Sequence, residues 1–190
     1  MKKLLLLLVS LSFSSLLMVS GQSNGIKIDQ WLVAGSYTND QTKDLLGYPF
    51  IDEASAIPAD GQKAGNNTWR KVTASFLDFT KQNFKQVTNC AAYACTYIYA
   101  PIEKLATIRF GSDDGAIIWL NGKKVMERLV KRSLVENQDT LFIQLGKGWN
   151  RLLIKVDQGG AGWEMICSIV ASDIKISQDR PDPASLAVNK

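Results

Sequence analysis

From Gln22 to Lys190 the apolar side chains recur at strand-like spacings and show almost no helical period. Short runs rich in Val, Ile, Thr, Tyr, Phe and Trp alternate with clusters of Gly, Asn and Asp. This pattern predicts strands at Gln30 to Val33, Trp69 to Thr73, Ala92 to Ala100, Lys104 to Gly111, Ala116 to Leu120, Lys123 to Glu127, Thr140 to Leu145, Asn150 to Asp157 and Trp163 to Ala171. In the eighth run, Asn150, Leu152, Ile154 and Val156 fall on one face, and Arg151, Leu153 and Lys155 fall on the other. That reads as one buried side and one mostly wet side. Trp163, Met165, Cys167 and Ile169 repeat the alternation on the last strand. Tyr93, Cys95, Tyr97 and Tyr99 share a face, an aromatic stripe that reads either as a sheet-face platform or as half of a core. A set of strands this size fits an all-β fold, an antiparallel two-sheet β-sandwich.

Other segments depart from this texture. Met1-Lys2-Lys3 followed by Leu4 to Val9 and a Ser-punctuated apolar stretch has the form of a bacterial secretory signal peptide, with small residues placing a cut after Gly21. The apolar run is short for a membrane span of about 20 residues. The organisation expected is therefore a signal peptide at 1–21, a β-sandwich domain at 22–175 and a C-terminal tail at 176–190. The product is expected to be secreted, periplasmic or on the cell surface, with no membrane span in the mature chain. Asp40 to Asn67 has no sustained alternation and reads as a long loop, the kind of segment that carries binding on a rigid sandwich.

Composition narrows the chemistry. The chain has 190 residues and no histidine, which removes Ser-His-Asp and Cys-His nucleophile pairs and histidine metal ligands. The formal charge of +4, lowered further by loss of Lys2 and Lys3 with the leader, carries no nucleic-acid signal. Three cysteines in an exported chain leave at least one unpaired. If the intervening strand is extended, Cys90 and Cys95 stand about 16 Å apart, too far for a bridge. A Cys95–Cys167 bridge and three buried thiols both remain open readings.

Asn121-Gly122 is the preferred pair for a two-residue hairpin turn, because both positions tolerate positive φ. Asp113-Asp114 between Gly111 and Gly115 reads in two ways. It is either a hard oxygen site for a structural calcium or a turn whose carboxylates bond back to amides. The glycine run Gly159-Gly160-Ala161-Gly162 opens no helix, so it does not read as a phosphate cradle. Glu53, Asp113, Asp114 and Glu164 are the carboxylates from which a histidine-free glycosidase pair would be drawn.

The series Tyr93-Ala94-Cys95-Thr96-Tyr97-Ile98, Gly111-Ser112-Asp113-Asp114-Gly115, Trp119-Leu120-Asn121-Gly122, Lys147-Gly148-Trp149-Asn150 and Gly162-Trp163 resembles the galactose-binding-like β-sandwich modules of secreted bacterial proteins. It is similar to the jelly-roll sugar-binding domain of family 2 glycoside hydrolases, with PA14-like domains as a second candidate. The resemblance spans roughly Ile28 to Asp173. It implies a jelly-roll sandwich and a non-catalytic module that often binds sugars, sometimes with a structural calcium. No ligand site carries over with it. From the residues, loop-adjacent Trp69 and Trp163, with Glu164, are the candidate glycan-binding side chains, and Asp113 and Asp114 the candidate metal ligands. Mid-strand Trp119 and Trp31 read as packing. The expected partner is a polysaccharide or glycan. The alternative is a structural or protein-interaction module docking onto a larger secreted or surface assembly.

Overall fold

The strands in chain order are β1 (Ile26–Lys27), β2 (Gln30–Tyr37), β3 (Lys63–Ala64), β4 (Asn67–Thr68), β5 (Arg70–Thr73), β6 (Phe76–Asp78), β7 (Cys90–Ala100), β8 (Lys104–Asp113), β9 (Ala116–Leu120), β10 (Lys123–Arg128), β11 (Asp139–Leu145), β12 (Gly148–Gln158), β13 (Glu164–Val170) and β14 (Lys175–Ser177). The computed structural model describes residues 25–39 and 44–187, so the leader read at 1–21 lies outside the described residues. Two antiparallel sheets carry the fold. One runs β1-β13-β8-β11 with β6 also on β13, and the other runs β10-β9-β12-β7-β2-β5 with β14 also on β7. This is the all-β sandwich that the alternation predicted. All nine expected strands are present, and the five short ones, β1, β3, β4, β6 and β14, are too brief to carry a period.

The sheets close over one core. Val33 of β2, Ala94 and Ile98 of β7, Ile118 of β9 and Leu152, Ile154 and Val156 of β12 face Ile108 and Phe110 of β8, Leu141 and Ile143 of β11 and Met165, Cys167 and Ile169 of β13. β11 shows the rule in its simplest form, with Leu141, Ile143 and Leu145 buried and Thr140, Phe142 and Gln144 exposed. The β9–β10 hairpin turns on Asn121 (φ 49°) and Gly122 (φ 86°), as the pair predicts.

The outer face of the larger sheet departs from expectation. Arg151, Leu153 and Lys155, read as the wet side of β12, are all buried, and Lys155 has no exposed surface. A second core lies there, in which Leu32, Tyr93, Cys95, Tyr97, Ile117, Trp119 and Leu153 are covered by Leu46, Phe50, Ile51, Ile57 and Ala64 of the long loop, by Trp69 just beyond it and by Leu186 of the tail. The tyrosine stripe is therefore neither an open platform nor part of the sandwich core.

A loop without its own ladder must find donors for its carbonyls once it is buried. The sheet supplies them. Lys155 Nζ donates to Leu46 O and Tyr48 O, each at 2.7 Å. Arg151 Nη2 donates to Glu53 O (2.9 Å) and Ala54 O (2.8 Å). Tyr97 and Tyr37 hydroxyls donate to Pro58 O and Ala64 O, each at 2.7 Å. The three cysteines are free and buried; Cys95 lies in the second core while Cys90 and Cys167 face the first, which rules out the Cys95–Cys167 bridge.

Candidate functional site

One end of the sandwich gathers the loops. Gln158 pairs with Cys90, Tyr37 with Ala91, and Val156 with Ala116, so the ends of β2, β7, β9 and β12 finish together. At this end the long loop stands off the sheet and leaves a cleft of about 1030 Å³. Its walls carry the amides of Asn39, Asn66, Asn67 and Asn83, the hydroxyls of Ser36, Thr38 and Thr68, and the rings of Tyr48, Phe50 and Phe84. Tyr48 is nearly half exposed and packs against Phe50, ring centroids 5.0 Å apart. Asn67 Nδ2 donates to Ser36 O at 3.1 Å, which ties β4 to the end of β2. Gly35 is required by close approach, since a Cβ there would stand 2.9 Å from Ala92 Cβ and 3.0 Å from the Phe84 ring.

The wall behind Tyr48 and Phe50 is set by a buried polar cluster. Lys155 Nζ pairs with Glu53 Oε1 at 2.5 Å, and the Tyr93 hydroxyl donates to the same oxygen at 2.6 Å. The ammonium also lies 5.5, 5.2 and 5.9 Å from the ring centroids of Phe50, Tyr93 and Trp119. Burial lowers the Lys155 pKa, against the opposing pull of Glu53. It raises that of Tyr93, and Glu53 adds to the rise.

The candidate tryptophans are corrected by their burial. Trp163 has no exposed surface and Trp69 is 2% exposed, so neither presents a ring to a ligand. Both lie beneath the cleft. Trp163 packs on Phe79 and on Phe84, ring centroids 5.1 and 5.6 Å away, and its Nε1 donates to Val156 O at 3.3 Å. Trp69 meets Tyr93 edge-on at 6.4 Å. Loop adjacency did not predict their depth, because a loop can cover a ring as readily as expose it.

The carboxylates divide. Glu164 is registered between Asp113 on β8 and Asp78 on β6. A Cβ on Gly162 would lie 2.6 Å from Glu164 Oε2 and 3.0 Å from Asp113 Oδ2, so both side chains reach over that glycine. Glu164 is held above the usual carboxylate range by burial and then by Asp113 and Asp78, and Asp113 by burial and then by Asp114. Asp114 turns the other way. Its Oδ1 accepts from Arg132 N at 3.1 Å and its Oδ2 from Gly159 N at 2.9 Å, amides 18 and 45 positions away, so it ties two distant loops together rather than closing its own turn. Among the described residues no three Cys, Asp or Glu side chains gather as metal ligands, and both oxygens of Asp114 are already engaged with backbone amides. Glu53 lies in the second core, away from the other three carboxylates.

Sequence reasoning missed the cleft residues Tyr48, Asn66, Asn67, Asn83 and Phe84. The only signal for them was the long loop itself.

No family model matches the chain, and no curated protein does. Similar solved structures include a beta-glucosidase from Kluyveromyces marxianus in complex with glucose (15% identity, TM-score 0.45, 74% of this chain and 15% of that one). An anti-sigma factor domain-containing protein matches at 13% identity and TM-score 0.47, over 84% of this chain and 47% of that one. The PA14 domain of the MpAFP antifreeze protein matches at 16% identity and TM-score 0.44, over 84% of this chain and 98% of that one. The chain thus spans less than half the length of the first two.

Proposed function

We propose that this chain is a non-catalytic carbohydrate-binding module, exported after loss of its leader, that holds a glycan in the cleft at the loop-bearing end of the sandwich. The observation that supports this reading is the lining of the cleft, with four asparagine amides and three hydroxyls set around rings that include a half-exposed Tyr48. An amide offers a donor and an acceptor on one plane, which suits neighbouring sugar hydroxyls. An amphipathic ring receives the apolar face of a pyranose while its polar tip stays wet. Few polar groups in a concave site are enough to fix orientation.

The test is a screen of the purified protein against soluble glycans and insoluble polysaccharides, repeated with Tyr48→Ala and Asn66→Ala. Each variant should weaken binding at least tenfold, about 1.4 kcal/mol, with a melting temperature close to that of the parent. Retention by neither parent nor variants, on a folded sample, would reject the module. Calcium is not needed for this binding. Chelation should leave both retention and melting temperature unchanged, and a rise in melting temperature on adding calcium would restore Asp113 and Asp114 as ligands.

A second reading, docking onto a secreted or surface assembly, is favoured by a different surface. Leu105 of β8 and Phe142 of β11 share the outer face of the smaller sheet and are 77% and 83% exposed. Under that reading Phe142→Ser abolishes partner capture and leaves glycan retention unaffected.

A further inference from the structure

The cleft carries a charge signature that neutral sugars do not use. Among its described lining residues two are cationic, Arg70 and Lys85, and none is acidic. Arg70 leaves β5 opposite Val33 of β2. Its guanidinium lies 5.0 Å over the Phe84 ring, and Phe84 rests in turn on buried Trp163. Trp163, Phe84 and Arg70 therefore form a stack that begins in the sandwich core and ends in the wall of the cleft.

The top of this stack lacks a partner. Arg70 Nη2 is buried and meets no acceptor among the described residues. A guanidinium is a rigid planar fork, and its edge donors match a carboxylate with two parallel hydrogen bonds. A buried donor without an acceptor is a standing cost, relieved by a ligand that supplies one once a small shift of the cleft wall uncovers the Arg70 edge. A neutral sugar leaves the cation uncompensated, so it is also selected against.

We infer that the cleft is selective for an acidic saccharide, a glycan bearing uronate carboxylates, with Arg70 as the carboxylate anchor and Lys85 as a second cation at the rim. This rests on the glycan reading above and narrows its ligand class.

The experiment measures retention of the purified protein on polygalacturonate and alginate, on the same polymers after carboxyl reduction, on neutral xylan and mannan, and on dextran sulfate. The expected result is at least tenfold stronger retention on the uronate polymers than on their reduced forms. Arg70→Gln should abolish that preference and Arg70→Lys should keep only part of it, because a lysine retains the charge without the planar fork. Equal retention on intact and reduced polymers overturns the acidic assignment and leaves the glycan module standing. Dextran sulfate matching the uronates also overturns it, since bulk charge would then be the cause. Retention on none of them overturns both readings. Should Arg70→Gln fail to fold, competition on the parent protein decides. Soluble galacturonate displacing it where galactose does not supports the inference, and equal displacement by both rejects it.

Discussion

Asp157 ends the outward face of β12 under the loops, and its Oδ1 is buried without a partner. Burial, and then Asp114, push its carboxyl up from 3.8 to about 6. Between those values the folded chain holds a proton that the unfolded chain has lost. The stability this group contributes is therefore complete below the unfolded value and is lost as pH rises through about 6. Asp157→Asn removes that loss. Its melting temperature relative to the parent should rise from pH 4 to pH 8, and a difference independent of pH would show that Asp157 titrates normally. Trp163 supplies the contrasting case. Trp163→Ala opens the sandwich core at a cost of about 3–5 kcal/mol, and its effect on binding follows from the loss of the support beneath Phe84.

The long loop is held as an element by donors from the sheet, most of them from one strand. Lys155 and Arg151, two turns of the pleat apart on β12, serve four loop carbonyls between them. Lys155→Met leaves Leu46 O and Tyr48 O without donors and Glu53 without its cation, a loss of about 3 kcal/mol for a buried pair broken on one side. Residues 44–57 should then exchange their amide hydrogens faster while β8 and β11 keep their protection, and glycan affinity should fall with the loosened Tyr48 wall. Unchanged exchange in that loop would mean that its apolar contacts suffice to hold it.

At the level of whole strands the sequence was legible. Each expected run became a strand within a few residues, Ala116–Leu120 to the residue, because alternation is a property of neighbouring side chains. The site was legible only in outline. Trp163 and Glu164 lie at the same end of the sandwich as the cleft without lining it, and most of the residues that do line it come from segments with no period to read, around 35–39, 48–50, 65–70 and 83–85.

Two cores sharing one sheet shape the behaviour of the whole molecule. Cys90 and Cys167 report on the first and Cys95 on the second, and burial pushes each thiol up to about 12. Native protein should therefore resist a thiol reagent, and all three cysteines should react after denaturation. Labelling under mild denaturant separates the cores. Cys95 reacting ahead of the other two would show that the loop opens as its own unit, whereas a single phase would show one cooperative structure. The same arrangement explains why all five tryptophans of so small a chain have structural work available, with Trp31 and Trp163 in one core, Trp69 and Trp119 in the other and Trp149 packed against that second core.

Local chemistry was enough to specify the strands, the Asn121-Gly122 turn and the sandwich class, since each depends on residues a few positions apart. Which side of β12 meets water was a different kind of question. Lys155 is buried because Leu46 and Tyr48 lie over it, 109 and 107 positions away in the chain. A basic residue on an alternating strand looks the same in sequence whether solvent or a loop covers it. Burial is settled by what the folded chain brings on top, and with it the depth of Trp69 and Trp163, the parting of Asp113 from Asp114 and the unpartnered edge of Arg70.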